Sequence, residues 1–172
     1  VFHAARQGWL QATSESNFPP ILVGWIPGLA AMVVWWKSPD ARRLGSGIPA
    51  AGLVGIQTFR LVGVALLWSG WRGELPLVFA LPAGLGGLVT GAAAPFVAIA
   101  LARETTDSVR WAKRWNLLGL LDIVVAMILG GLSGPGPNQA LSLGFPSAAA
   151  TGFPLAITPA FLVPLALLGH FL

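Results

Sequence analysis

Five stretches of this chain are apolar for long enough to cross the hydrocarbon core of a bilayer, and no other feature limits its fold as strongly. A helix needs about 20 consecutive apolar residues for that crossing. Such runs cover roughly Phe18 to Trp36, Ile48 to Trp71, Leu75 to Ala102, Trp111 to Leu132 and Thr151 to Leu172. Inside lipid no water is present to satisfy amide groups, so each run must close its hydrogen bonds within itself as a helix. The predicted fold is therefore all-α: a polytopic transmembrane helix bundle of five spans, forming a single integral membrane domain over residues 1–172. The opening "VFHAARQGWL" fits the tail of a sixth, earlier span, with His3 and Arg6 at its aqueous end, and fits equally a segment that belongs to none.

The few charges are placed as a bilayer dictates. Seven of the ten Lys and Arg lie in two short loops, "KSPDARRLGSG" (Lys37, Arg42, Arg43) and "RETTDSVRWAKR" (Arg103, Arg110, Lys113, Arg114). Such clustering is the positive-inside signature rather than a nucleic-acid-binding stripe, so nucleic acid is not an expected partner. With both loops in the cytoplasm, the N-terminal segment, "WRGELP" and "SGPGPNQALSLGFPS" fall outside, and the C-terminus falls inside. Trp25, Trp35, Trp36, Trp68, Trp71, Trp111 and Trp115 gather near the span ends, where an interfacial aromatic belt would place them. The expected location is a bacterial cytoplasmic (inner) membrane.

Small residues mark the helix contacts. In the third run Gly84, Gly87, Gly91, Pro95 and Ala98 share one side, and in the fourth Gly119, Asp122, Ala126 and Gly130 do so. Seams of this kind let helix backbones approach closely in lipid. The third run also carries Pro76, Pro82 and Pro95, which predicts a kinked or broken helix, and discontinuous membrane helices can line substrate or ion sites.

Two ionisable residues interrupt the apolar runs. Arg60 lies about 18 Å, and Asp122 about 10 Å, beyond the expected cytoplasmic ends of their spans at Ile48 and Trp115. Buried charges of this kind face the protein interior and pair, so Arg60 and Asp122 are expected to meet, with Gln57 and Asn116 completing an intramembrane polar site. A guanidinium has five donors, and Gln57, one turn before Arg60, is expected to accept one of them. This group reads either as a structural bridge that fixes helix register or as part of a solute or proton pathway. His170, in "ALLGH", has Ala166 one turn before it, the spacing of pigment-binding helices in bacterial light-harvesting polypeptides. It reads either as an interfacial histidine or as a ligand to haem or a chlorophyll-type pigment.

Catalytic patterns are missing: there are no paired carboxylates, no H-E-x-x-H, no G-x-S-x-G, no phosphate loop and no dinucleotide fingerprint. With no cysteine, thiolate chemistry and thiolate metal sites are excluded, and no metal or cofactor is otherwise expected.

From about Phe18 to His170 the chain resembles an uncharacterised family of bacterial polytopic membrane proteins. The likeness is carried by "FPPILV", "GIQTFR", "LPLVFALPAGLGGLVTGAAAP", "RWNLLGLLDIVVA" and "TPAFLVPLALLGH", with Q-x-F-R, P-A-G-x-G-(D/G) and W-N-x-x-G-x-x-D as its recurring patterns. The resemblance implies a bundle of about six helices and no particular activity. Resembling sequences tend to read P-A-G-x-G-D where this chain has Gly87; if that acid belongs to a site, this member has lost the activity or kept only the scaffold. The expected function is that of a non-enzymatic component of a larger membrane assembly, with other membrane subunits and the lipid bilayer as partners. A small carrier or proton-conducting protein built on Gln57, Arg60 and Asp122 is the alternative, and a pigment or haem binder through His170 is the second.

Overall fold

A computed structural model describes residues 1–11 and 20–171. Among them every regular element is helical, in agreement with the all-α prediction. A short helix α1 (Phe2–Arg6) is followed by a tight 3-10 stretch, Pro20–Trp25, which runs into α2 (Ile26–Lys37). Helix α3 is Pro39–Ser46, and α4 (Ala50–Ile56), a 3-10 segment (Gln57–Val62) and α5 (Gly63–Trp71) form one rod. Helices α6 (Leu77–Ala102) and α7 (Ser108–Ser133) are uninterrupted, and the chain ends in a π-helical turn, Thr158–Leu162, that continues into α8 (Val163–Phe171).

Three rods are long and apolar enough to cross a membrane: Ala50–Trp71, Leu77–Ala102 and Ser108–Ser133. Their limits lie within three residues of the predicted second, third and fourth spans. The outer two predicted spans take other forms. The first is a 3-10 stretch followed by the short α2, and its predicted start at Phe18 lies outside the described residues. In the last, a 3-10 turn ends at Thr151 and the continuous helix begins only at Thr158, after the loop that carries Pro154; Leu172 lies outside the described residues.

Helix α6 is not broken. It passes through Pro82 and Pro95 as continuous α-helix; each proline removes only one rung of the ladder, a loss that membrane helices tolerate. The irregular backbone sits instead in the preceding rod, at Gln57–Val62. A 3-10 turn holds three residues, so side chains three apart eclipse. Gln57, Arg60 and Gly63 therefore stack on one side, and all three are buried.

Glycines bring this irregular segment against α6. A Cβ at Gly91 would lie 2.7 Å from the amide nitrogen of Leu61, and one at Gly63 would lie 2.7 Å from the carbonyl oxygen of Gly84. The two backbones thus touch directly at Arg60. Lipid tails are as apolar as leucine, so helices in a bilayer gain little from burying apolar side chains and rely on such close contact. Leu66, Leu75, Phe79, Ala80 and Ala83 continue the packing toward the α5–α6 turn, joined by Ala150. The outer faces carry Val64, Leu85, Val89, Phe96, Leu117 and Leu121, all exposed.

A second layer covers one side of these rods. Gly24 packs against the backbone of Ala160, Gly28 against Pro164, and the indole of Trp25 donates to the carbonyl of Pro159 at 2.8 Å. Ala5 and Leu10 pack on Ala156 and Ala160, which ties the N-terminal segment to the same layer. The first basic loop is itself helical. Ser38 caps α3 by accepting from the Ala41 amide at 3.2 Å, Pro39 occupies the first turn, and Arg42 donates to the Trp36 carbonyl at the end of α2.

Candidate functional site

The buried polar groups converge on the guanidinium of Arg60, which is 6% exposed. One terminal nitrogen, Nη2, is ion-paired and hydrogen-bonded to Asp122 Oδ2 on α7. The other, Nη1, lies 2.8 Å from His170 Nε2 on α8. Both nitrogens also donate to the carbonyl oxygen of Gly119, each at 3.3 Å. His170 Nδ1 in turn lies 2.7 Å from Asn116 Oδ1. Two rods, α8 and four side chains thereby form one connected chain, Asp122–Arg60–His170–Asn116.

Hydrogen-bond chemistry fixes the state of the histidine. Guanidinium nitrogens can only donate, so Nε2 must present a lone pair; Asn116 Oδ1 can only accept, so Nδ1 carries the proton. His170 is therefore neutral, and Arg60 and Asp122 balance each other. The cluster has no net charge, as a low-dielectric interior favours.

Two glycines make room for it. A Cβ on Gly86 would overlap the carboxylate of Asp122, and one on Gly119 would overlap the His170 ring and lie 3.0 Å from Arg60 Nη1. Trp115 closes the remaining side, with its ring centroid 5.1 Å from that of His170 and its Nε1 donating to the Thr90 carbonyl at 3.0 Å.

The cluster forms one end of a cavity of about 390 Å³ between the long rods and the covering layer. Arg60 and Asp122 line its inner end. Leu66, Phe79, Ala126 and Leu162 are among its apolar walls, and Pro135, Ser147 and Thr158 line the part nearest the α7–α8 connection. This size and an apolar wall with a few convergent polar groups are typical of small-molecule sites.

A family model described as "Domain of unknown function (DUF8737)" matches residues 19–172. The chain belongs to this family. No curated protein and no solved structure matches the chain. Of the family's span, residues 57–170 hold every polar member of the cluster.

The geometry departs from the sequence reading at three places. Gln57 does not accept from Arg60; its Nε2 donates to the Ala166 carbonyl at 2.9 Å, and its Oε1 is buried without a partner among the described residues. The extra acceptors come from the Gly119 carbonyl and His170 instead, because the Arg60 side chain reaches toward α7 and α8, away from its own rod. His170 is not interfacial: it is 7% exposed and part of the cluster. Both ring nitrogens are engaged, so a metal at Nε2 would have to displace Arg60. Trp25 and Trp115 are buried and hydrogen-bonded inside the protein, whereas Trp36, Trp68, Trp71 and Trp111 are exposed at the span ends.

The predicted packing glycines sit where the rods meet. Gly84, Gly87, Gly91 and Gly119 are buried, and Gly130 lies against Phe79, its Cβ position 3.3 Å from that ring. Gly87, where resembling sequences read Asp, also lines the cavity.

Proposed function

We propose that this chain is a non-enzymatic integral membrane protein that binds a lipophilic small molecule in the cavity ending at Arg60 and Asp122. The supporting observation is the pairing of an apolar cavity of about 390 Å³ with a buried polar group at one end. A bridge that only fixed helix register would need no such space beside it. The reading thus favours a carrier or binding protein over an accessory component of a larger assembly. Proton conduction gains less support, because the walls beyond the cluster are mainly aliphatic and aromatic.

The proposed setting is a bacterial cytoplasmic membrane with five crossings: the three long rods, together with α2 and α8 extended by their 3-10 and π-helical turns. The loops around Arg42 and Lys113 face the cytoplasm, and Gly134 to Pro146 faces outward. A cysteine placed at residue 42 or 113 of this cysteine-free chain should resist impermeant thiol reagents in intact cells; labelling there would reverse the orientation.

Ligand binding stabilises a folded protein by mass action. An organic extract of the host membrane should therefore raise the unfolding temperature of the detergent-purified chain, and should do so far less for Ala126→Phe, which adds a ring to the cavity wall one turn beyond Asp122. No shift in the wild type, or equal shifts in both proteins, would count against a ligand site.

A further inference from the structure

We infer that the cavity is selective for an uncharged amphiphile whose hydrogen-bond acceptor enters first and takes the Nε–H of Arg60. This deepens the reading of the cavity as a ligand site and rests on it. The guanidinium supplies the first reason. Both Nη atoms are spent on Asp122, Gly119 and His170, whereas Nε makes no hydrogen bond to any described residue. Nor is Nε walled in: the enclosed side-chain polar atom lacking a partner among the described residues is Gln57 Oε1. Arg60 lines the cavity, and Nε–H is the guanidinium donor left for an acceptor on a ligand.

Charge balance supplies the second reason. With Arg60 offset by Asp122 and His170 neutral by its hydrogen bonds, the cluster already sums to zero. An anionic head would bring a net negative charge into a low-dielectric site beside the Asp122 carboxylate, and a cationic head would face the Arg60 guanidinium. Either is costly to desolvate without a free counter-charge. A carbonyl, ester or ether oxygen meets neither obstacle, because it accepts the Nε–H and adds no charge.

Shape supplies the third. Along α7 the cavity is lined from Asp122 to Gly134, roughly 18 Å at the helical rise, and Ile123, Ala126, Met127 and Leu162 flank that length. An elongated apolar body fits behind a small polar head.

Three probes that share one alkyl chain and differ only in the head isolate the selectivity: methyl palmitate, palmitate and hexadecane. Equilibrium binding of each to the full chain in neutral-detergent micelles is compared with binding to Ala126→Phe and Arg60→Lys. One methyl palmitate should bind per chain, about tenfold more tightly than hexadecane, as a hydrogen bond to a charged donor contributes. It should also bind about tenfold more tightly than palmitate. Ala126→Phe should lose every probe. Arg60→Lys, which lacks Nε and the fork geometry, should bind ester and alkane alike. If palmitate equals or exceeds the ester, or hexadecane matches it in the wild type, the selectivity is refuted while the cavity remains a ligand site. If no probe binds the wild type, or Ala126→Phe retains them all, the ligand site itself falls. The wild-type series decides the question even if Arg60→Lys does not fold.

Discussion

Arg60→Ala is expected to destabilise the chain by about 3 to 5 kcal/mol, and Asp122→Ala by a similar amount, because each strands the other charge in a low-dielectric interior. The double variant should lose clearly less than the sum. Arg60 is 6% and Asp122 12% exposed, so neither can recover water by a small movement. The two single variants should still differ in character. Without Arg60, the carboxylate loses its hydrogen-bonding partner and His170 Nε2 loses its donor. Without Asp122, the guanidinium keeps the Gly119 carbonyl and His170, so that loss should be the smaller of the two. Reversible unfolding in mixed micelles measures all three variants. Strictly additive losses would show that the charges do not depend on each other.

Gly91→Leu should be among the most damaging changes that add atoms. Its Cβ position is 2.7 Å from the Leu61 amide nitrogen and 3.0 Å from the Arg60 carbonyl carbon. Both neighbours are backbone, which cannot swing away as a flexible side chain does. Forcing atoms into a filled core costs typically 1 to 3 kcal/mol, and separating two backbones at the cluster should bring this substitution to about 3 kcal/mol or more. Gly52 provides the matched control, since a Cβ there meets nothing within 4 Å. Gly52→Ala should be neutral or stabilise α4 slightly, by up to about 1 kcal/mol. Equal melting temperatures for Gly91→Leu and the wild type would mean that the glycine face of α6 meets only lipid.

These sites differ in how plainly the sequence announced them. The three long rods were readable because bilayer thickness and helical rise leave little freedom in length. The meeting of Arg60 with Asp122 was readable for a related reason: a charge inside an apolar run has few partners available, and only one carboxylate lay within another such run. His170 was not readable. Its depth depends on where the last helix starts, and that start is set by the course of the loop between Gly134 and Thr158 rather than by apolar periodicity. Helix begins at Thr158, which places His170 about 18 Å along it at 1.5 Å per residue, level with Arg60 instead of at the water. The irregular backbone was sought at the prolines of α6, where composition advertised it. It lies at Gln57–Val62, where the only sequence signal is a polar, charged and glycine residue at three-residue spacing. The cavity arises from the packing of α8 beside the rods, and no local pattern encodes it.

The neutral, closed cluster around Arg60 is the feature on which the expected stability and the proposed ligand choice both rest, and the imidazole of His170 reports on it directly. The chain holds two histidines, His3 and His170, so nitrogen NMR of labelled imidazoles can be assigned with a single His3→Gln variant. At neutral pH the His170 ring should show a protonated Nδ1 and an unprotonated Nε2 shifted by its bond to Arg60, and Asp122→Ala should leave that tautomer in place. A doubly protonated ring, or a proton on Nε2, would contradict the arrangement.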